Sequence, residues 1–118
     1  MGGSEHPRDD PRRAVVTRGD VCWCEFPDEG RRPALILTRS EAIPVLNRVL
    51  VAPITRTIRG IPTEVRIDQA DGMPEECVAS FDNVLQVSRA FVSKPITTLS
   101  GPRMHEVCRA LAIATGCD

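Results

Sequence analysis

The chain has 118 residues, the size of one domain, and a chain this long buries about two-thirds of its unfolded surface, enough for a core without disulfide staples. Hydrophobic residues make up 42% and charged residues 26%, and no apolar run approaches the ~18–20 residues of a membrane span, so membrane, secretory, collagenous and coiled-coil classes are set aside. A formal net charge of −1 excludes the strongly basic domain that binds nucleic acid by charge alone.

Residues 1–14 are polar, contain Pro and Gly, and lack hydrophobic periodicity, which predicts a flexible N-terminal tail before a domain over 15–118. Asp20–Phe26 alternates as a strand, with Val21, Trp23 and Glu25 on one face and Cys22, Cys24 and Phe26 on the other. Pro27-Asp28-Glu29-Gly30 reads as a loop. Ala34–Thr38 and Val49–Ile54 are short apolar runs of the kind buried on both faces, with Pro53 marking a bulge or an edge. Between them a short helical turn fits Glu41–Leu46. Thr63–Ile67 alternates, Asp71-Gly72 signals a turn within Gln69–Pro74, and Cys77–Phe81 and Val84–Val87 are two further strands around Asp82-Asn83. A helix closes the chain: Ser100 caps it, Pro102 stands in its first turn, and Gly116 stops it. Its core stripe reads Met104, Val107, Cys108, Leu111 and Ala112. Five or six short strands and one terminal helix predict a mainly β domain, a small curled sheet or barrel covered by the helix.

Five cysteines without a C-x-x-C pair argue against a disulfide framework, and the spacing of His6 and His105 offers no zinc site with them; small apolar side chains in a reducing compartment are the expectation. His105 reads as a surface histidine of the last helix. Arginine supplies fourteen of the fifteen basic residues. Charge is segregated along the chain: residues 31–66 hold seven Arg against Glu41 and Glu64, whereas 67–82 hold five acids and no base. That split reads either as two solvated faces or as a basic face suited to a polyanion.

Conventional catalytic signatures are missing, with no G-x-S-x-G, H-E-x-x-H or P-loop, so chemistry without a metal or cofactor is expected. Arg32 leads into one apolar strand and Thr55 ends the next. If the two strands pair, guanidinium and hydroxyl approach at one rim, a combination that binds phosphate.

Arg18-Gly19-Asp20-Val21-x-Trp23, Gly30-x-Arg32-Pro33-Ala34-Leu35-Ile36-Leu37, Val51-x-Pro53-Ile54-Thr55, Ser80-x-Asp82-Asn83 and the helix ending Leu111–Gly116 together resemble the MazF/PemK toxin family, in order, from about Arg18 to Cys117. The resemblance implies an SH3-like barrel of the CcdB/MazF-like toxin fold and a cytoplasmic homodimer. It also implies a cognate antitoxin with a partly disordered acidic segment, through which the complex binds promoter DNA. The implied activity is a sequence-specific endoribonuclease that needs no metal and cuts single-stranded RNA to 2′,3′-cyclic phosphate and 5′-OH ends. It places the catalytic arginine on Arg32, the catalytic threonine on Thr55 and a functional acid on Asp82, with Glu29 the loop equivalent of a further acid. Arg32 then stabilises charge, since a guanidinium is a poor base, and Glu29 or Asp82 accepts the proton. Arg31, Arg56, Arg59 and Asn83 are the expected RNA contacts. The loop before Arg32 is shorter than is usual in the family, and Leu85 stands where Arg is frequent. Two other classes stay open: a CcdB-like toxin that poisons DNA gyrase by binding it, and a plain SH3-like binding module, for which exposed aromatics are scarce.

Overall fold

The structure, a computed structural model, describes residues 15–117; the expected tail over 1–14 lies outside the described residues. Seven strands and one helix follow in chain order: β1 (Asp20–Phe26), β2 (Gly30–Ile36), β3 (Arg48–Thr55), β4 (Glu64–Ile67), β5 (Cys77–Ser80), β6 (Leu85–Ser88), β7 (Val92–Thr98) and α1 (Gly101–Thr115). All pairings are antiparallel, in the order β4-β5-β3-β2-β1-β7, with β6 also on β3. The result is a curled half-barrel with one C-terminal helix.

Period-two alternation gives this sheet two apolar faces, and both are buried. One face carries Val21, Leu35, Ala52 and Ile54 into a core with Val65, Ile67, Ala79, Phe81 and the helix residues Val107 and Ala110. The other carries Cys22, Cys24, Ala34, Ile36, Val49 and Val51 into a second core with Phe26, Val87 and Val92. The continuous apolar runs of β2 and β3 follow from that burial on both sides.

β3 changes partner along one edge, pairing with β6 over Arg48–Val51 and with β5 at Ile54 and Thr55. Pro53 stands at the change, where its missing N–H interrupts neither ladder, and it keeps register with Ala34 of β2 without a bulge. β2 starts earlier than its apolar run, at Gly30, because the β1–β2 loop closes in three residues with Phe26 opposite Gly30. Asp28 (φ 68°) and Gly30 (φ 80°) take left-handed conformations there, as a tight hairpin requires. The turn expected around Glu41–Leu46 is a 3-10 turn over Ile43–Val45 with Pro44 in its second position.

Two expectations are corrected. β7, with the sequence VSKPITT, is an additional strand; it pairs with β1 through two register shifts, and Pro95 and Lys94 hide its alternation. On α1, Ser100 caps (accepting from the Arg103 N–H at 3.3 Å) and Gly116 ends the helix at φ 75° as expected. The buried stripe, however, runs through Met104, Val107, Ala110, Leu111 and Ala114, and Cys108 faces solvent. The half-barrel draws the helix in along the 107/110 side, so 108 and 112 fall off the contact line.

Candidate functional site

The β2–β3 register places Ala34 opposite Pro53, and continuing the ladder two residues places Arg32 opposite Thr55, side by side at the open rim. Both line a cleft of about 410 Å³ with Glu29, Thr57, Arg59, Glu64, Ser80 and Asn83 among its walls. The three-residue hairpin fixes Glu29 three positions before Arg32, and their charges meet at 3.5 Å, both side chains about half exposed. Thr55 Oγ1 accepts from the Thr57 N–H at 3.1 Å, so one lone pair is used and the hydroxyl hydrogen stays available as a donor. The site offers a guanidinium fork and a hydroxyl donor at one rim, with a carboxylate beside the fork: a set able to hold a phosphate diester and its developing charge.

Asp82 stands elsewhere. It does not line the cleft, and its Oδ2 accepts from the Thr63 hydroxyl at 2.6 Å. The second cleft carboxylate is Glu64, whose Oε1 accepts from the backbone N–H groups of Arg59 (3.0 Å) and Gly60 (3.1 Å) and so shapes the turn over the cleft. Its place in the alternating strand gave no functional signal; only the pairing of Glu64 with Ser80 brings it to the same face. Ser80 entered the sequence reading only within the Ser80-x-Asp82-Asn83 motif, and Thr57, in the loop after β3, gave no signal of its own.

Of the expected RNA contacts, Arg59 and Asn83 line the cleft, Asn83 donating to Ser80 Oγ at 2.8 Å. Arg31 lies over the Trp23 ring, 5.1 Å from its centroid, and Arg56 is paired with Glu75. The segregation of charge along the chain is not a segregation in space. The β3–β5 and β4–β5 pairings fold acidic residues onto the basic segment, joining Arg56 to Glu75 and Arg66 to Glu76 (3.3 Å).

Cys22, Cys24 and Cys77 are buried free thiols, and burial pushes them up to about 12, 11 and 11; the Asp20 charge adds to the shift at Cys22. They take no part in the cleft. Among the described residues no group of three or more His, Cys, Asp or Glu could hold a metal ion, and no helix is long and apolar enough to cross a membrane.

A curled half-barrel with one C-terminal helix is an architecture that this chain shares with solved toxin structures. The chain is similar to Mycobacterium tuberculosis toxin MazF-mt6, with a TM-score of 0.79 and 32% identity over 84% of this chain and 98% of that one. It belongs to the PemK-like, MazF-like toxin family of type II toxin–antitoxin systems, whose model matches residues 17–115. A probable endoribonuclease MazF5 of Mycobacterium tuberculosis is 42% identical over 106 residues, 89% of this chain and 97% of its own length. An endoribonuclease solved with its cognate antitoxin, from Mycobacterial species, shares the fold (TM-score 0.77, 24% identity, 87% of this chain and 97% of that chain). Membership in this family does not favour the gyrase-poison alternative.

Proposed function

We propose that the protein is the toxin of a type II toxin–antitoxin pair and cuts single-stranded RNA at chosen sequences without a metal. The juxtaposition of Arg32 and Thr55 across the β2–β3 rim carries this reading. The 2′-OH of one nucleotide attacks the adjacent phosphorus in line. The bond to the 5′-oxygen of the next nucleotide breaks and that oxygen takes a proton from water, leaving a 2′,3′-cyclic phosphate and a 5′-OH. Arg32 holds the nonbridging oxygens bidentately and neutralises the charge that grows on them, and Thr55 donates to the same group. Glu29, beside Arg32 in the cleft, is the carboxylate placed to take the 2′-OH proton; Asp82, the other acid considered, does not line the cleft and accepts from the Thr63 hydroxyl through one of its oxygens. DNA lacks the attacking group and survives. The active form is a homodimer in the cytoplasm. Its activity is held in check by a cognate antitoxin whose acidic, partly disordered segment covers the cleft, and the complex binds promoter DNA through the antitoxin.

Incubation of the protein with a long defined RNA in EDTA, with Arg32→Ala and Thr55→Ala alongside and the fragment ends mapped, tests this directly. Discrete cuts with cyclic-phosphate ends, absent with both variants, are expected. Intact RNA in the presence of folded protein would overturn the reading and make inhibition of gyrase supercoiling the next assay.

A further inference from the structure

Arg32 and Thr55 line two cavities, one on each side of the sheet's rim. The first is the polar cleft already described. The second, about 450 Å³, lies on the opposite face; Trp23, Pro33, Ile54, Met73 and Pro74 form its apolar wall, and the Arg56–Glu75 ion pair and Cys77 also line it. Alternation explains the split: in β2 and β3, Arg32, Pro53 and Thr55 point to one face and Pro33 and Ile54 to the other. Trp23 is directly opposite Pro33 in the β1–β2 register, so ring and pyrrolidine form one continuous apolar wall. Trp23 is also 37% exposed, an unusual position for the chain's single tryptophan. Arg31 lies over the same ring, 5.1 Å from its centroid, and contributes positive charge beside the wall.

We infer that a bound RNA crosses this rim with its scissile phosphate at Arg32 and Thr55, and that the two flanking bases enter chemically different cavities. The base on the Trp23 side stacks in the apolar slot; the base on the other side is read by hydrogen bonds from Asn83, Ser80 and Thr57. This rests on the ribonuclease reading and adds to it where sequence selection resides. A base flanked by an indole and two prolines gains stacking and loses water, with little dependence on its hydrogen-bonding edge. The polar cleft, lined by hydroxyls and an amide, discriminates edges instead. A slot within the size range of small-ligand cavities, continuous with the phosphate-holding pair, suits a single nucleobase.

The protein has no tyrosine and one tryptophan, so its indole emission reports Trp23 alone. The probe is a short RNA spanning a mapped cut, with a single 2′-deoxy nucleotide at the cut so that it binds uncleaved. Its saturation is followed by anisotropy of a terminal dye. Saturating RNA is expected to quench the indole emission. An abasic substitution on one side of the cut is expected to abolish the quench, and one on the other side to leave it. In cleavage of the all-RNA oligonucleotide, Trp23→Ala is expected to slow cutting on the order of tenfold when the stacked base is present, and to have no further effect once that base is removed. Trp23→Phe is expected to recover most of that loss, since a smaller ring still stacks. Asn83→Ala is expected to change base preference only at the opposite position. Binding with unchanged indole emission, or a quench indifferent to both abasic sites, would overturn the inference while leaving the nuclease intact. RNA neither bound nor cut would overturn the ribonuclease reading and this inference together.

Discussion

Glu64 and Arg32 show how differently two charged side chains reach the same cleft. Arg32 is pinned by a short hairpin and a neighbouring carboxylate, Glu64 by two backbone N–H groups from the turn that it shapes. Because both bonds end on one oxygen, Glu64→Gln can keep them, whereas Glu64→Ala cannot. The Gln variant is expected to cut RNA with KM near that of the parent protein, and the Ala variant to raise KM several-fold with a smaller effect on kcat. A large loss of kcat in Glu64→Gln would instead mark a proton-transfer role. Arg32→Ala and Thr55→Ala are expected to lower the cleavage rate by at least about a hundredfold, with thermal melts close to the parent, because both side chains sit at an exposed rim. The raised thiols of Cys22, Cys24 and Cys77 carry no thiolate near neutral pH. A colorimetric thiol reagent is therefore expected to label Cys108 and Cys117 in the native protein and all five cysteines after denaturation. Arg32 and Thr55 were legible in the sequence because each ends an apolar strand. Glu64 was not, because a half-buried acid in an alternating strand looks like any solvated one.

Between β4 and β5 the chain makes a turn that ties the sheet to the helix. Asp68 and Asp71 cap each other reciprocally around Gln69–Asp71. Asp71 also receives Arg103 of α1 at 3.0 Å, and its backbone carbonyl accepts from Thr97 of β7 at 2.7 Å. Gly72 follows at φ 94°, and a Cβ there would stand 2.4 Å from Thr97 Oγ1. Gly72→Ala combines a disfavoured backbone with a clash and is expected to cost about 2 kcal/mol or more. A drop in Tm of roughly 5 °C or more checks this; an unchanged Tm would refute it. Burial alone would raise the Asp71 carboxyl, but the hydrogen bonds from Arg103 and from the Asp68 N–H, with the Arg103 charge, hold it below the usual carboxylate range. A lowered folded value adds stability above the unfolded value of about 3.9 and loses it as pH falls through the folded one. The urea midpoint is expected to fall on acidification below about pH 4, and to fall less in Asp71→Asn, which has already lost the pair. Asp71-Gly72 was legible as a turn, and Ser100 and Gly116 as helix ends, since caps and left-handed positions are local chemistry. β7 and the exact helix stripe depend on partners more than seventy residues away, as the bond from Thr98 to Asp20 (2.6 Å) illustrates, and no local pattern encodes them.

Taken whole, the molecule is nearly neutral and its charges interleave, so substrate affinity must come from a few well-placed groups. The cleft brings Arg32 and Arg59 against Glu29 and Glu64, and the remaining basic segment is partly neutralised by Glu75 and Glu76. RNA affinity is accordingly expected to fall only gently with salt, with a log–log slope of about −1 to −2; a slope steeper than about −4 would require a basic groove that the described residues do not form. Charge order along the sequence misled here because antiparallel pairing, not proximity in the chain, decides which side chains meet. The fold class itself was legible, since short strands with turn signals and a capped terminal helix leave few alternatives. The claim on which everything turns is that the Arg32–Thr55 rim cuts RNA through the RNA's own 2′-OH. Single-turnover cleavage of a mapped oligonucleotide in EDTA, compared with the same oligonucleotide carrying one 2′-deoxy nucleotide at the cut, measures it most directly. The account predicts rapid cleavage of the first to a cyclic phosphate and none of the second; cleavage of both, or of neither, would contradict it.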